Sequence, residues 1–206
     1  MRILLTGSTG KVGQCLAHSL WSKNARLVLH TWKNEAMARA LPGEVMVADF
    51  SRIEEVKRVA ASAAKTLSGL DAVIHAASGF EPKAFGDISE EDWHQTLDVD
   101  LKAAFFLAQE AVKHMPDGGK LIFFSDVAAD RVYKNYLPYS IAKAGVNALT
   151  KGLAKILPPS FTVNAIAPYR IGEGEGETPP EAVAGMVWDL LTGKKKGTGY
   201  ILTVNS

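Results

Sequence analysis

The chain has 206 residues, 47% hydrophobic and 22% charged, which is ordinary for a soluble globular protein with a substantial core. A formal net charge of +1 excludes the global field that draws proteins to nucleic acid or to an anionic membrane surface. The single cysteine, Cys15, excludes an internal disulfide, no apolar run reaches the ~20 residues that span a bilayer, and the N-terminal run is too short for a signal peptide, so a cytoplasmic protein is expected.

Residues 2–6 (RILLT) read as a strand, followed at once by Gly7, Gly10 and Gly13 and a helix over 12–22. Glycines there permit a tight turn and close backbone approach, and a helix N-terminus offers free N–H groups to a pyrophosphate. A glycine triplet alone is a weak signal, but its place directly after a first strand strengthens it. A second strand, 26–30, leads into His30, Thr31, Trp32 and Lys33, with no acid before Glu35. A carboxylate at that strand end holds the adenosine ribose hydroxyls and repels a 2′-phosphate. Its absence, with Lys11 in the glycine loop, favours NADPH over NADH. A third strand, 44–48, ends at Asp49, which either accepts from an adenine amino group or caps the helix over 53–67.

Strands follow at 72–76 and 120–125, separated by a helix over 101–114. Downstream, Tyr139 and Lys143 stand four apart at the start of a helix over 138–156, so their polar ends share a face. Asp126 lies at the preceding strand end. A strand at 161–166, a helix at 180–191 and a strand at 199–204 complete the pattern. Between them, GEGEGE (172–177) reads as a mobile acidic loop, and GKKKG (193–197) as a solvated one. Alternating strands and helices indicate βαβ units. The expected fold is α/β: a single-domain, Rossmann-type, doubly wound parallel sheet of about seven strands over residues 1–206.

The five histidines show no metal-ligand spacing, and with one cysteine no metal site is expected. Ser8, Ser78 and Ser125 lack a nucleophile-elbow context, which argues against a hydrolase. Trp188, Leu153, Ile156 and Leu157 read as core or subunit contact.

Taken in order, TGSTGKVG, HAAS (75–78), Trp93 with DVDLKAAFFLAQ (98–109), YSIAK (139–143), LTKGLA (149–154) and VNAIAP (163–168) resemble the short-chain dehydrogenase/reductase family along nearly the whole chain. The resemblance implies an NADP site built from Gly7, Ser8, Gly10, Lys11, Val12, Gly13, Thr31, Trp32, Lys33, Asp49, Phe50, Ala76, Ala77, Ser78, Tyr139, Lys143 and Pro168. It implies that Tyr139 exchanges the proton and that Lys143 lowers its pKa and holds the nicotinamide ribose. A neighbouring ammonium favours phenolate on general grounds too. It also implies a homodimer or homotetramer joined through helices 101–114 and 138–156.

The chain departs from the family pattern at informative places. Asp126 stands where most members have serine, and Asp100 takes the place of the catalytic asparagine. Pro168-Tyr169 replaces proline-glycine, and the substrate loop is shortened to 169–180. Aspartate at the serine position, together with HAASGFEP, resembles the pteridine reductase branch. There Phe80 would stack on the substrate ring, with Ser78, Asp126 and Tyr169 nearby; the alternatives are that Phe80 packs on a neighbouring loop and that Asp126 bonds locally. The implied activity is NADPH-dependent reduction of a C=N or C=O carbon, with a pterin or similar planar heterocycle favoured. A generic carbonyl or 3-oxoacyl reductase and a non-catalytic NADP-sensing regulator remain alternatives.

Overall fold

A computed structural model describes residues 1–79 and 81–204. Seven strands form one sheet: β1 (Arg2–Thr6), β2 (Arg26–Thr31), β3 (Glu44–Val47), β4 (Ala72–His75), β5 (Gly119–Phe124), β6 (Phe161–Pro168) and β7 (Ile201–Val204), in the order β3-β2-β1-β4-β5-β6-β7. Every pairing is parallel, with Leu4 opposite Val28 and Val73, and Ile74 opposite Ile122. The chain reverses direction across the sheet between β1 and β4. Parallel sheets of this kind bind ligands in the crevice that such a reversal opens at the strands' C-terminal ends.

The strands are apolar almost throughout because both faces are covered. Side chains alternate between two cores. Leu4, Val28, Val73 and Leu121 join the core under α3 (Ile53–Leu67) and α5 (Ala103–Ala111). Ile3, Leu5, Leu29, Ile74 and Ile122 join the other, under α1 (Lys11–Ser22) and α8 (Pro180–Thr192). Helix α3 shows why these segments are helical. Val56, Val59, Ala60, Ala63, Ala64 and Leu67 recur every three or four residues on its buried face, and Ser68 ends it in the left-handed region, at φ 62°.

The longest departure from expectation is ahead of α5. Helix α4 (Glu90–Leu97) runs into a π-helical turn, Asp98–Lys102, and then into α5. Ser89 opens α4 with a capping box: its hydroxyl accepts from the Asp92 N–H, and the Asp92 carboxylate accepts from the Ser89 N–H. Two short helices, α2 (Glu35–Arg39) and α6 (Ala128–Arg131), were also not expected, whereas α7 (Leu137–Ile156) was. Among the described residues no helix is long and apolar enough to cross a membrane.

The acidic 172–177 loop carries internal contacts. Glu177 folds back so that its carboxylate accepts from the Gly174 N–H at 3.0 Å and pairs with Arg170 at 2.9 Å. The buried Thr178 hydroxyl donates to the Val204 carbonyl at 3.1 Å, tying the loop to β7.

Candidate active site

The glycine loop is seated by contacts that exclude side chains. Gly7 has φ +67°, and a Cβ there would lie 2.6 Å from the Ala76 carbonyl at the end of β4. A Cβ on Gly13 would overlap the Gly7 carbonyl oxygen. Helix α1 therefore starts tight against the loop, with Gly10 before its first turn and no acid within it to satisfy its N–H groups. A 440 Å³ cavity opens here, lined by Gly7, Gly10, Thr31, Trp32, Lys33, Asp49, Phe50, Ala76, Ala77 and Ser78, and also by His30 and Val99. A 190 Å³ cavity carries on from the same loop, lined by Lys11, Val12, Gly13, Asp126, Tyr139, Lys143 and Pro168. Gly7, Gly10, Ala76 and Ser78 line both. Two connected clefts meeting at a helix N-terminus fit an elongated dinucleotide with its pyrophosphate at the join.

Ser8 belongs to the fold rather than to the cavity wall. Its side chain is fully buried and donates to the His30 carbonyl at 3.1 Å, locking the loop to β2. Thr31 and Thr9 share a hydrogen bond of 3.1 Å with the same effect. Asp49 lines the cavity and accepts from the Ser51 N–H at 2.9 Å, while the helix-cap alternative is not met, because α3 opens at Arg52 without a side-chain cap. Lys33 places its ammonium 3.7 Å from the Trp32 ring centroid. His30 stacks on Phe50 at 3.7 Å, and burial lowers its pKa to about 4, which keeps the ring neutral.

At the other end, α7 presents Tyr139 and Lys143 to the end of β5. The Tyr139 hydroxyl donates to Asp126 Oδ2 at 2.9 Å, while Asp126 Oδ1 accepts from the Ala128 N–H at 2.7 Å. The local-bonding alternative for Asp126 thus coexists with a contact to Tyr139. Ser125, one residue earlier, donates to Asn147 at 2.6 Å and faces α7. Lys143 is buried, donates to the Phe124 carbonyl at 2.9 Å, and pairs with Asp100 Oδ1 at 2.7 Å. Ser78 donates to the same carboxylate at 2.5 Å and the Gly79 N–H donates to it at 2.7 Å.

Two expectations are corrected by this geometry. Asp100 is 1% exposed and lies behind Lys143, so it does not reach a reacting group. Ser78 commits its hydroxyl to Asp100 and lines the nucleotide clefts, not the larger cavity beyond Tyr139. Lys143 places its ammonium 5.2 Å from the Tyr139 ring centroid. Burial, then the Asp126 and Asp100 charges, push the phenol well above its ordinary value.

That larger cavity measures 780 Å³ and is lined by Asp126, Tyr133, Tyr136, Tyr139, Tyr169, Arg170 and Ile171. Tyr169 accepts from Arg131 at 3.1 Å. Tyr133 and Tyr136 were not singled out in the sequence, although they precede Tyr139 at intervals of three. Phe80, expected over the substrate ring, lies outside the described residues.

Comparison with known proteins agrees with this arrangement. A family model described as enoyl-(acyl carrier protein) reductase matches residues 8–186. The chain is 30% identical over 176 residues to the hydroxynaphthalene reductase-like protein Arp2 of Metarhizium brunneum, covering 80% of this chain and 66% of that one. It is 31% identical over 179 residues to human dehydrogenase/reductase SDR family member 4, covering 80% and 64%. The chain thus spans about two thirds of the length of these relatives. A short-chain dehydrogenase from Burkholderia cenocepacia in complex with NADP superposes with a TM-score of 0.92 at 24% identity, over 98% of this chain and 95% of that one. With its glycine loop, parallel sheet and Tyr139–Lys143 helix, the chain belongs to the short-chain dehydrogenase/reductase family.

Proposed function

We propose that the protein is an NADPH-dependent reductase of a C=N or C=O carbon, with a pterin or similar planar heterocycle as favoured substrate. The observation that carries this reading is the hydrogen bond from Tyr139 to Asp126. It stands where the 190 Å³ nucleotide cleft meets the 780 Å³ tyrosine-lined cavity. A nicotinamide bound in the cleft supplies the hydride. Tyr139, facing both spaces, gives the proton, and Lys143, lining the cleft, orients the nucleotide ribose. Asp126 is poorly suited to a carbonyl oxygen that gains negative charge, because like charges repel, and well suited to a ring nitrogen that gains a proton.

The preference for NADPH is supported by the end of β2, where Thr31, Trp32 and Lys33 line the larger nucleotide cavity without a carboxylate from that strand. The NADP bound by the Burkholderia relative is consistent with it. A second reading, reduction of a planar aromatic ketone, is favoured by the likeness to a hydroxynaphthalene reductase-like protein. Self-association through α5 and α7 is supported by Phe105 and Ile141, exposed by 45% and 40% on those helices.

The deciding assay follows NADPH oxidation by the purified protein with dihydropterins, hydroxynaphthalenes, quinones and small ketones in parallel. Pterin turnover above the rest supports the favoured reading. Turnover of hydroxynaphthalenes alone selects the second. Nucleotide binding with no turnover of any class would leave a sensor and refute both.

A further inference from the structure

We propose that Asp100 is a positioning residue that cancels the charge of Lys143 and thereby keeps Tyr139 a phenol, so that its proton stays available at neutral and alkaline pH. The inference rests on the reading of Tyr139 as proton donor and deepens it.

The geometry begins with the π-helical turn Asp98–Lys102, inserted between α4 and α5. Turns of this type widen a helix locally and recur at functional sites. Here Leu101 packs on Gly145 of α7, where a Cβ would stand 2.5 Å from Leu101 Cδ2. That fit fixes the turn against α7 two residues past Lys143. Asp100 then meets Lys143 at 2.7 Å in a place closed to water, with side-chain exposures of 3% for the lysine and 0% for the aspartate. The Ser78 hydroxyl and the Gly79 N–H complete the carboxylate's bonds, so the ion pair is satisfied rather than strained.

The consequence is a matter of charge count. An ammonium facing a tyrosine favours phenolate, and would do so strongly in a dry site. Among the described residues, the titratable groups that act on Tyr139 include Lys143 on its own helix, Asp126 after β5, Asp100 from the π-helical turn and Tyr133 from the segment before α7. Lys143 lies 5.2 Å from the ring centroid, but its charge is matched by Asp100. Asp126, at 2.9 Å from the hydroxyl, favours the protonated form. Burial acts in the same sense. An asparagine at 100 could hold Ser78 or Gly79 but would leave the ammonium unmatched.

The experiment is a near-ultraviolet phenolate titration of the protein without substrate or cofactor, with Tyr139→Phe subtracted to isolate this residue. Asp100→Asn is expected to ionise Tyr139 at a hydroxide concentration at least about tenfold lower than wild type needs. In turnover, it should bring an alkaline fall in kcat/KM that wild type lacks. A role confined to packing would move neither. Should Asp100→Asn fail to fold, Lys143→Met is compared with Asp100→Asn/Lys143→Met. The single variant, keeping the Asp100 charge, should need the higher hydroxide concentration. Identical titration of wild type and Asp100→Asn, or of Lys143→Met and the double variant, would overturn the proposal. Absence of turnover in wild type would count against the reductase reading alone, since the titration needs neither ligand.

Discussion

The Tyr139 hydroxyl and Asp126 Oδ2 are 2.9 Å apart, across the gap between the first turn of α7 and the end of β5. That bond gives the phenol a fixed direction before any ligand arrives. Tyr139→Phe removes the proton and keeps the ring. It should lower kcat by about 10²–10⁴, the usual contribution of a positioned acid, and leave NADPH affinity within about threefold. Steady-state kinetics and calorimetric titration of the same preparation check both halves. Full turnover by the phenylalanine variant would remove Tyr139 from the chemistry.

The glycine loop makes a separate prediction about the nucleotide. Gly13→Ala drives a methyl into the Gly7 carbonyl and the Ser8 backbone, which cannot yield without moving α1. The cost should be about 1–3 kcal/mol of stability, the range for overpacking a tight contact. NADPH affinity should fall by more than tenfold, because the N–H groups of α1 move with the helix. Lys33→Glu should leave the thermal midpoint unchanged and weaken NADPH while sparing NADH, narrowing the preference for the phosphorylated form. An equal loss for both cofactors would place Lys33 away from the 2′-phosphate.

Much of this site could be read along the chain because its signals are local. The glycine spacing, the Tyr139–Lys143 pair and the 53–67 helix each depend on a few neighbouring residues, and the expected α3 bounds match those of Ile53–Leu67. Helix α4 was hidden because EEDWHQTL is polar nearly all round, with no buried residue to mark a face. The partner of Lys143 was hidden for another reason. Asp100 reaches it only because a π-helical turn packs on Gly145, a contact between segments far apart in sequence. Six residues alternating glycine and glutamate gave no sign of the contact in which Glu177 accepts from the Gly174 N–H.

Two buried histidines predict how the fold responds to acid. Burial lowers His30 to about 4 and His75 to about 3. Both lie below the unfolded value, so between them the unfolded chain binds protons that the folded chain refuses. The stability they contribute is present above about pH 6.5 and is lost as pH falls toward 4, at up to roughly 1.4 kcal/mol per pH unit for each ring. Urea unfolding measured from pH 7.5 to 4.5 should show that decline. His75→Asn, which keeps a polar partner for the Thr6 hydroxyl, should make the decline shallower. An unchanged slope in that variant would mean that His75 is not the group taking up the proton.

Asp126 tests the substrate class most directly. As a carboxylate beside the phenol it opposes negative charge growing on a carbonyl oxygen and supports a proton arriving at ring nitrogen. Asp126→Ser keeps a hydrogen-bonding partner for Tyr139 while removing the charge. It should lower pterin turnover by at least about tenfold and raise the turnover of simple ketones, since a hydroxyl can donate to the oxygen where a carboxylate cannot. Phe80→Ala, if the ring stacks on substrate, should raise the pterin KM with a smaller effect on kcat. Steady-state kinetics of wild type and both variants against one pterin and one ketone separate the cases. If wild type ignores the pterin, reduces the ketone, and improves on it when Asp126 becomes serine, then the aspartate marks no substrate class and the pterin reading falls.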